Sequence, residues 1–371
     1  MHNTFLVNRE AYQTTKWAAQ PLPSHLAEGE VLLRIDTFSF TANNITYAMI
    51  GDKFGYWQFF PAEVGWGVVP VWGFAEVVAS QQAQVAVGER FYGYYPMSTH
   101  LVVQPNKVTP AGFLDASAHR LSLPIVYNYY SNTATDRMYA PDQEDLISLF
   151  RPLFLTSFLL DDFFADNRFF GAKNIILTGA SSKTALGLAY LLYLRQRAKG
   201  DEFLQTTGLT SARNLDFVEG LGLYDHVLTY DQVATLPTNG QYAIVDFAGD
   251  QPLQSALQQH LGATLRYNCA VGMTHWDQNA PQSPVEGSIK PILFFAPTHA
   301  QRRGQDWGEQ GFQAKVGHAW HQFVGHAAQW LTIQHATGPA AIAAMYADTL
   351  AGRTDPRTGQ VASMVEKLPA V

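Results

Sequence analysis

The sequence predicts an α/β fold in two parts: a β-rich barrel or sandwich, followed by a doubly wound parallel-sheet domain. Three observations predict it. Short strand-like runs cut by Gly and Pro fill residues 1–110. From residue 171 onward, short apolar runs alternate with helical patterns. Between the first such run and its helix lies a loop of small residues, Gly179-Ala180-Ser181-Ser182.

In the first part, Glu30 to Asp36 follows the turn residue Gly29 and partly alternates, as a strand does. Phe74 to Ala79, Phe91 to Tyr94 and His100 to Val103 read the same way, the last stopped by Pro105. Next, Asp142 and Glu144 are placed to cap a helix carrying Leu146, Ile147, Leu149 and Phe150. Leu153 to Phe164 reads as a second, buried helix. The α/β part begins with the strand Asn174 to Thr178 and the helix Lys183 to Arg197. Further strands are expected over Phe203 to Thr210, Asp225 to Tyr230, Tyr242 to Phe247 and Ala263 to Tyr267. Helices are expected over Ala212 to Leu221 and Pro252 to His260. Residues 311–350 read as helical, with Phe312, Val316, Trp320, Phe323, Ala327 and Trp330 forming a core-facing stripe.

Composition narrows the function. The chain has 371 residues, enough for about two domains. With 47% apolar and 15% charged residues it can build large cores. The formal charge is −7 and no Lys/Arg cluster stands out, which argues against nucleic acid and anionic membranes as partners. No run approaches the ~20 apolar residues of a membrane helix. Met1 to Glu10 lacks a basic flank before an apolar core, so no signal peptide is expected. A single cysteine, Cys269, excludes an intrachain disulfide and fits a cytoplasmic setting.

The loop after Thr178 suits a pyrophosphate. A helix N-terminus there presents unpaired N–H groups and the positive end of the helix dipole. The hydroxyls of Ser181, Ser182 and Thr184 add hydrogen bonds, and Lys183 adds charge. An ordinary Ser/Thr-capped helix is the alternative. A G-x-G-x-x-G loop would need glycines where Ser181 and Thr184 stand. A nucleoside-triphosphate P-loop needs glycines where Ser182 and Leu177 stand. The second strand ends Leu209-Thr210-Ser211-Ala212-Arg213-Asn214, with no carboxylate for a ribose 2′-OH. Arg213 offers a planar fork, and Ser211 and Asn214 neutral hydrogen bonds, all suited to a 2′-phosphate. The cofactor expected is therefore NADP(H), unless Arg213 only faces solvent.

These features resemble the medium-chain dehydrogenase/reductase superfamily, in its zinc-free quinone and enoyl reductase-like branch. Gly29 to Ile35, and Trp72 to Ala79 running into Val87-Gly88-Glu89-Arg90, are similar to strands of its GroES-like barrel. Gly179-Ala180 begins like the zinc-free loop Gly-Ala-Ala-Gly-Gly-Val-Gly, and Val227-Leu228-Thr229-Tyr230 is similar to the third strand. The Ala-Ser-Ser-Lys-Thr-Ala loop, the Leu-Thr-Ser-x-x-Asn segment and Phe294-Phe295-Ala296-Pro297 resemble one group within the superfamily. The resemblance implies a GroES-like domain over 1–125, with 301–371 returning to it. It implies connecting helices and a Rossmann NADPH-binding domain over 126–300. It also places Tyr230 with Arg213 at the 2′-phosphate and Phe295 among the cofactor residues. Dimerisation is common in the superfamily, so a homodimer is implied.

No metal is expected. One cysteine excludes a four-cysteine zinc site and a Cys-His-Cys site. His318, His321 and His326 read as surface histidines of a helix. Tyr12 and Lys16 form a Tyr-x-x-x-Lys by chance, upstream of the cofactor fold, and no Gly-x-Ser-x-Gly elbow is present. By resemblance, Asn43 to Tyr47 and Gly51 to Trp57 line a substrate cleft between two domains. Tyr47 is the proton-donor candidate, protonated at neutral pH. Asn44, Tyr56, Trp57 and Tyr127 are expected to bind substrate. Phe59 and Phe60 would extend the aromatic wall. Each of these aromatics also fits a core role. Asp246, Phe247 and Gly249 end the fourth strand, where such sheets face ligand. Asp246 also fits a helix cap. The function expected is NADPH-dependent, metal-free hydride transfer to an activated alkene or quinone-type small molecule. A carbonyl reductase and a catalytically silent NADPH-binding sensor are the alternatives.

Overall fold

A computed structural model describes residues 2–199, 204–271 and 289–364. The chain divides into two compact units, Met1–Pro152 with Leu331–Val371, and Leu153–Trp330.

The first unit is built on antiparallel strands. Val31–Phe40 pairs with Pro70–Ser80, which pairs with Arg90–Pro96. The register of the first pair slips at Leu32/Leu33 and again at Ile35/Thr37. Such irregularities bend a strand and let a sheet curl around its own core. Gly73 permits the closest crossing, because a Cβ there would meet the Thr37 carbonyl oxygen at 2.1 Å. Phe5, Val31, Leu33, Phe38, Val71 and Phe91 fill the interior. Much of the material is β-branched or aromatic, which suits pleated, half-buried strands.

Two expectations change here. Residues 311–350 are not one helical region: Thr332–Thr337 is a strand, pairing in parallel with Thr358–Ser363. Thr358–Ser363 in turn pairs with Val31–Phe40, so a distant partner overrides the local helical pattern. The two helices expected before residue 165 are one, Glu144–Asp166, with Pro152 inside it. The buried turns on either side, with Phe150 and Phe154, hold the helix through the proline.

The second unit carries a six-stranded parallel sheet. In chain order its strands are Asn174–Thr178, Gln205–Thr210, His226–Thr229, Tyr242–Asp246, Leu265–Ala270 and Ile292–Leu293. In space the order is third, second, first, fourth, fifth, sixth. The order reverses between the first and fourth strands, the place where such sheets open a ligand crevice. Ile175, Ile176, Leu177, Ile244 and Val245 are buried, as both-face covering by helices requires. Phe203, expected to open the second strand, lies outside the described residues.

The helix Ala296–Ala327 belongs to this second unit. Its Phe323 stacks on Phe154 at 4.7 Å, and the Tyr190 hydroxyl donates to its Gln322 carbonyl at 3.0 Å. Val316, Trp320, Phe323 and Ala327 of the expected stripe are buried. This packing moves the division to Pro152/Leu153 and Trp330/Leu331, away from 125/126 and 300/301.

Candidate functional site

Thr178 ends the first strand of the parallel sheet, and Gly179 turns with φ +60°, a left-handed conformation that glycine adopts without cost. A Cβ at Gly179 would come within 3.3 Å of the Ala248 nitrogen. The turn is short. Ala180 N donates to the Leu209 carbonyl at 3.0 Å, and Ser182 N to the Gly179 carbonyl at 2.8 Å. Ser182 Oγ then accepts from Ala185 N at 3.3 Å, capping the helix Lys183–Lys199. Ser181, Ser182, Lys183 and Thr184 are all half-buried. Gly187 lies one turn in, where a Cβ would strike Ser157 Oγ at 2.6 Å, so this glycine serves helix packing.

The loop after the fourth strand is bound to this turn. The Thr178 hydroxyl donates to Asp246 Oδ1 and accepts from Phe247 N at 3.1 Å and Ala248 N at 3.2 Å. Asp246 Oδ1 also accepts from Gly249 N at 3.2 Å. Asp246 is fully buried, and burial pushes its carboxyl above the ordinary range. Its Oδ1 is a structural tie that shapes the segment Phe247 to Gly249, in which Phe247 is half-buried. Gly249 has φ +62°. Phe295 is exposed, just beyond the sixth strand.

The end of the second strand carries the remaining cofactor candidates. Ser211 starts a short turn, its carbonyl accepting from Asn214 N at 2.9 Å. Asn214 Nδ2 donates to Ser181 Oγ at 2.9 Å. One side chain thus joins the pyrophosphate-type loop to the segment that holds Arg213. Arg213 is exposed. Tyr230, at the end of the third strand, is partly exposed, and its hydroxyl faces the Gly179 backbone. Burial and two nearby carboxylates, Asp246 and Asp250, raise its phenol, while Gly179 opposes them. The structure therefore brings together Gly179, Ser181, Asn214, Tyr230 and Asp246, which span nearly seventy residues of sequence.

The first unit holds a cluster of aromatic rings. Tyr47 stacks on Tyr56 at 4.5 Å and meets Tyr94 edge-on at 5.9 Å and Tyr127 edge-on at 6.5 Å. Tyr56 and Tyr127 join hydroxyls at 3.1 Å. Phe59 packs against Tyr94 and Tyr127 at 5.3 Å each. Tyr47 is buried. Burial and the adjacent Tyr56 push its phenol well above its ordinary value, and Trp72, Asn43 and Tyr127 act the other way. Both raising causes favour the protonated phenol as its resting form.

Two expected substrate residues are structural. Asn44 is buried and sits in the helix Ala42–Met49. Its Nδ2 donates to the Pro70 carbonyl at 2.9 Å, while its Oδ1 accepts from Thr41 N at 2.8 Å and Thr41 Oγ1 at 3.1 Å. Its polar atoms are engaged in fixing the Tyr47 helix to the strand Pro70–Ser80. Trp57 is core, wedged where a Cβ on Gly51 or Gly67 would collide with its ring at 2.4 and 2.3 Å. Sequence reasoning did not place Trp72, Tyr92 and Tyr94 in this aromatic cluster. The signal was the period of two that sets Trp72 and Phe74 on one face, with Tyr94 and Tyr92 opposite them in register.

Among the described residues, no group of three or more His, Cys, Asp or Glu side chains is arranged to hold a metal ion. His318 and His321 are exposed, and His326 stacks on Tyr190 at 5.0 Å. No helix among the described residues is long and apolar enough to cross a membrane.

Comparison with known proteins adds the fold's context. A family model described as "Protein of unknown function (DUF2855)" matches residues 38–355. No curated protein matches the chain. Among solved structures the chain is similar to CurA from Vibrio vulnificus in complex with NADPH. The identity is 13%, the TM-score 0.63, and 98% of this chain and 99% of that one are covered. It is also similar to mycobacterial Rv1454c complexed with NADPH, at 14% identity and TM-score 0.58, covering 98% and 100%. A mutant form of enoyl thioester reductase from Candida tropicalis is similar at 12% identity and TM-score 0.56, covering 98% and 99%. The expected fold class, a GroES-like β-barrel domain with a Rossmann domain, is the fold of this chain.

Proposed function

The chain belongs to the DUF2855 family of proteins of unknown function, and from that premise we propose that it is an NADPH-dependent, metal-free reductase of activated C=C bonds in small conjugated carbonyl or quinone-type molecules. The observation that carries the reading is the second strand's end. It offers Ser211, Arg213 and Asn214 in place of a carboxylate, beside a helix N-terminus at the point where strand order reverses. The likeness to NADPH-bound structures supports the same cofactor.

The residues present fit that cofactor. Gly179 brings backbone close to the fourth-strand loop, as a diphosphate cradle needs. The hydroxyls and amides that follow it are half-buried donors at the positive end of a long helix. Arg213 and Tyr230 would hold the 2′-phosphate, and Phe247 to Gly249 the nicotinamide ribose. NADPH, when bound, supplies the hydride. The protein supplies orientation, exclusion of water and a proton, and Tyr47 is the group that gives it. Tyr56 and Tyr127 give the substrate a flat aromatic surface. A cytoplasmic setting and a homodimer belong to the same reading.

Consumption of NADPH with a panel of enones, enoyl thioesters and quinones tests it, with product analysis. A saturated ketone supports the proposal. An alcohol product from an enone identifies a carbonyl reductase, and tight NADPH binding with no turnover identifies a sensor. Calorimetric titration of Arg213→Ala gives a second check. NADPH binding is expected to weaken by about 1–3 kcal/mol, the scale of a charged hydrogen bond, with NADH nearly unchanged. Equal losses for both nucleotides would remove Arg213 from the site.

A further inference from the structure

We infer that Asn214 is a positioning residue for the diphosphate of the nucleotide: its side-chain amide fixes the Ser181 hydroxyl as a hydrogen-bond donor, while the adjacent Arg213 serves the 2′-phosphate. The inference rests on the reading of this loop as an NADPH seat. It deepens that reading by giving two neighbouring residues two different parts of the cofactor.

Asn214 and Ser181 meet directly. Asn214 Nδ2 donates to Ser181 Oγ at 2.9 Å, and both residues are half-buried. Both ends of that bond are held. Asn214 N donates to the Ser211 carbonyl at 2.9 Å, which sets its backbone at the end of the second strand. On the other side, Ala180 N donates to the Leu209 carbonyl at 3.0 Å, and the Ala180 carbonyl accepts from the Tyr224 hydroxyl at 3.0 Å. The backbone before Ser181 is thus pinned, and what is left to set is the rotation of the serine hydroxyl. Asn214 also forgoes a bond close at hand. It is the N-cap of the helix Leu215–Gly220, the position where asparagine ordinarily accepts from an amide of the first turn. It makes no such cap, and its amide goes to Ser181 instead. Ser182, by contrast, spends its oxygen on its own helix, accepting from Ala185 N at 3.3 Å.

The direction of the bond decides what Ser181 can do. A hydroxyl has one hydrogen to give and two lone pairs, whereas an amide N–H only donates. With Asn214 on a lone pair, the Ser181 hydrogen is left for another acceptor. Phosphate oxygens accept, so a diphosphate in the loop takes that hydrogen. A carboxylate at position 214 would draw the hydrogen to itself and turn lone pairs toward the diphosphate. A donor oriented before the anion arrives has less freedom to lose on binding.

Calorimetric titration with four probes tests this: NADPH, NADH, ADP, and adenosine 2′-monophosphate, which carries no diphosphate. Asn214→Ala is expected to weaken NADPH, NADH and ADP alike by about fivefold, the scale of one hydrogen bond, and to leave adenosine 2′-monophosphate unchanged. Ser181→Ala is expected to reproduce those losses, and the double variant to lose no more than either single one. Additive losses overturn the inference. So does a loss confined to NADPH and adenosine 2′-monophosphate, which would put Asn214 on the 2′-phosphate, and so does an equal loss for all four probes, which would make its role merely structural. If circular dichroism shows that Asn214→Ala does not fold, ¹⁵N-asparagine labelling with Asn214 intact decides. The Asn214 side-chain amide must shift when ADP binds, and that shift must vanish in Ser181→Ala; a shift that survives overturns the inference. A wild-type protein that binds none of the four probes removes the nucleotide reading and the inference together. Failure of the enone panel touches neither set of titrations.

Discussion

Tyr47→Phe is expected to lower kcat for enone reduction by a factor on the order of 10²–10⁴, the range of a lost general acid, with NADPH affinity little changed. The substitution removes one oxygen from a ring already stacked on Tyr56 at 4.5 Å, so the fold should tolerate it. The relevant comparison is steady-state kcat against NADPH affinity by calorimetry. A loss confined to KM would mean that Tyr47 only holds the substrate in place. An unchanged kcat would move the proton donor elsewhere.

The other large effect is on stability. Arg120 is 1% exposed and pairs with Asp115 at 3.0 Å. It donates to Asn128 Oδ1 at 2.9 Å, to the Tyr130 hydroxyl at 2.8 Å and to the Tyr127 carbonyl. Its guanidinium also lies over the Phe59 and Phe60 rings at 5.4 and 5.3 Å. Arg120→Met would leave Asp115 charged and buried without its partner. A loss of roughly 3–5 kcal/mol is expected in urea denaturation. Adding Asp115→Asn should recover part of it, because the stranded charge is then gone. A loss under about 1 kcal/mol for Arg120→Met alone would show that water reaches this site.

The parallel sheet was legible because its strands are covered on both faces. Runs such as Ile175-Ile176-Leu177 and Ala243-Ile244-Val245 carry few polar residues, and glycine or small polar residues close them. The strand Thr332–Thr337 was not legible, because its pairing partner lies about twenty-five residues onward and its neighbours are helical. The proposed cofactor segment was readable from chemistry: small residues after a strand, and no carboxylate after the next. What the sequence could not show was which polar side chains were already engaged. Asn44 and Asp246 have the character of ligand-binding residues, yet Asn44 and the Oδ1 of Asp246 spend their hydrogen bonds inside the fold.

The bond from Thr178 to Asp246, with the amides gathered around it, has a thermodynamic consequence. The segments that follow the first and fourth strands are laced into one unit. If the proposed nucleotide sits there, little ordering is left to do on association, so more of the contact energy survives as affinity.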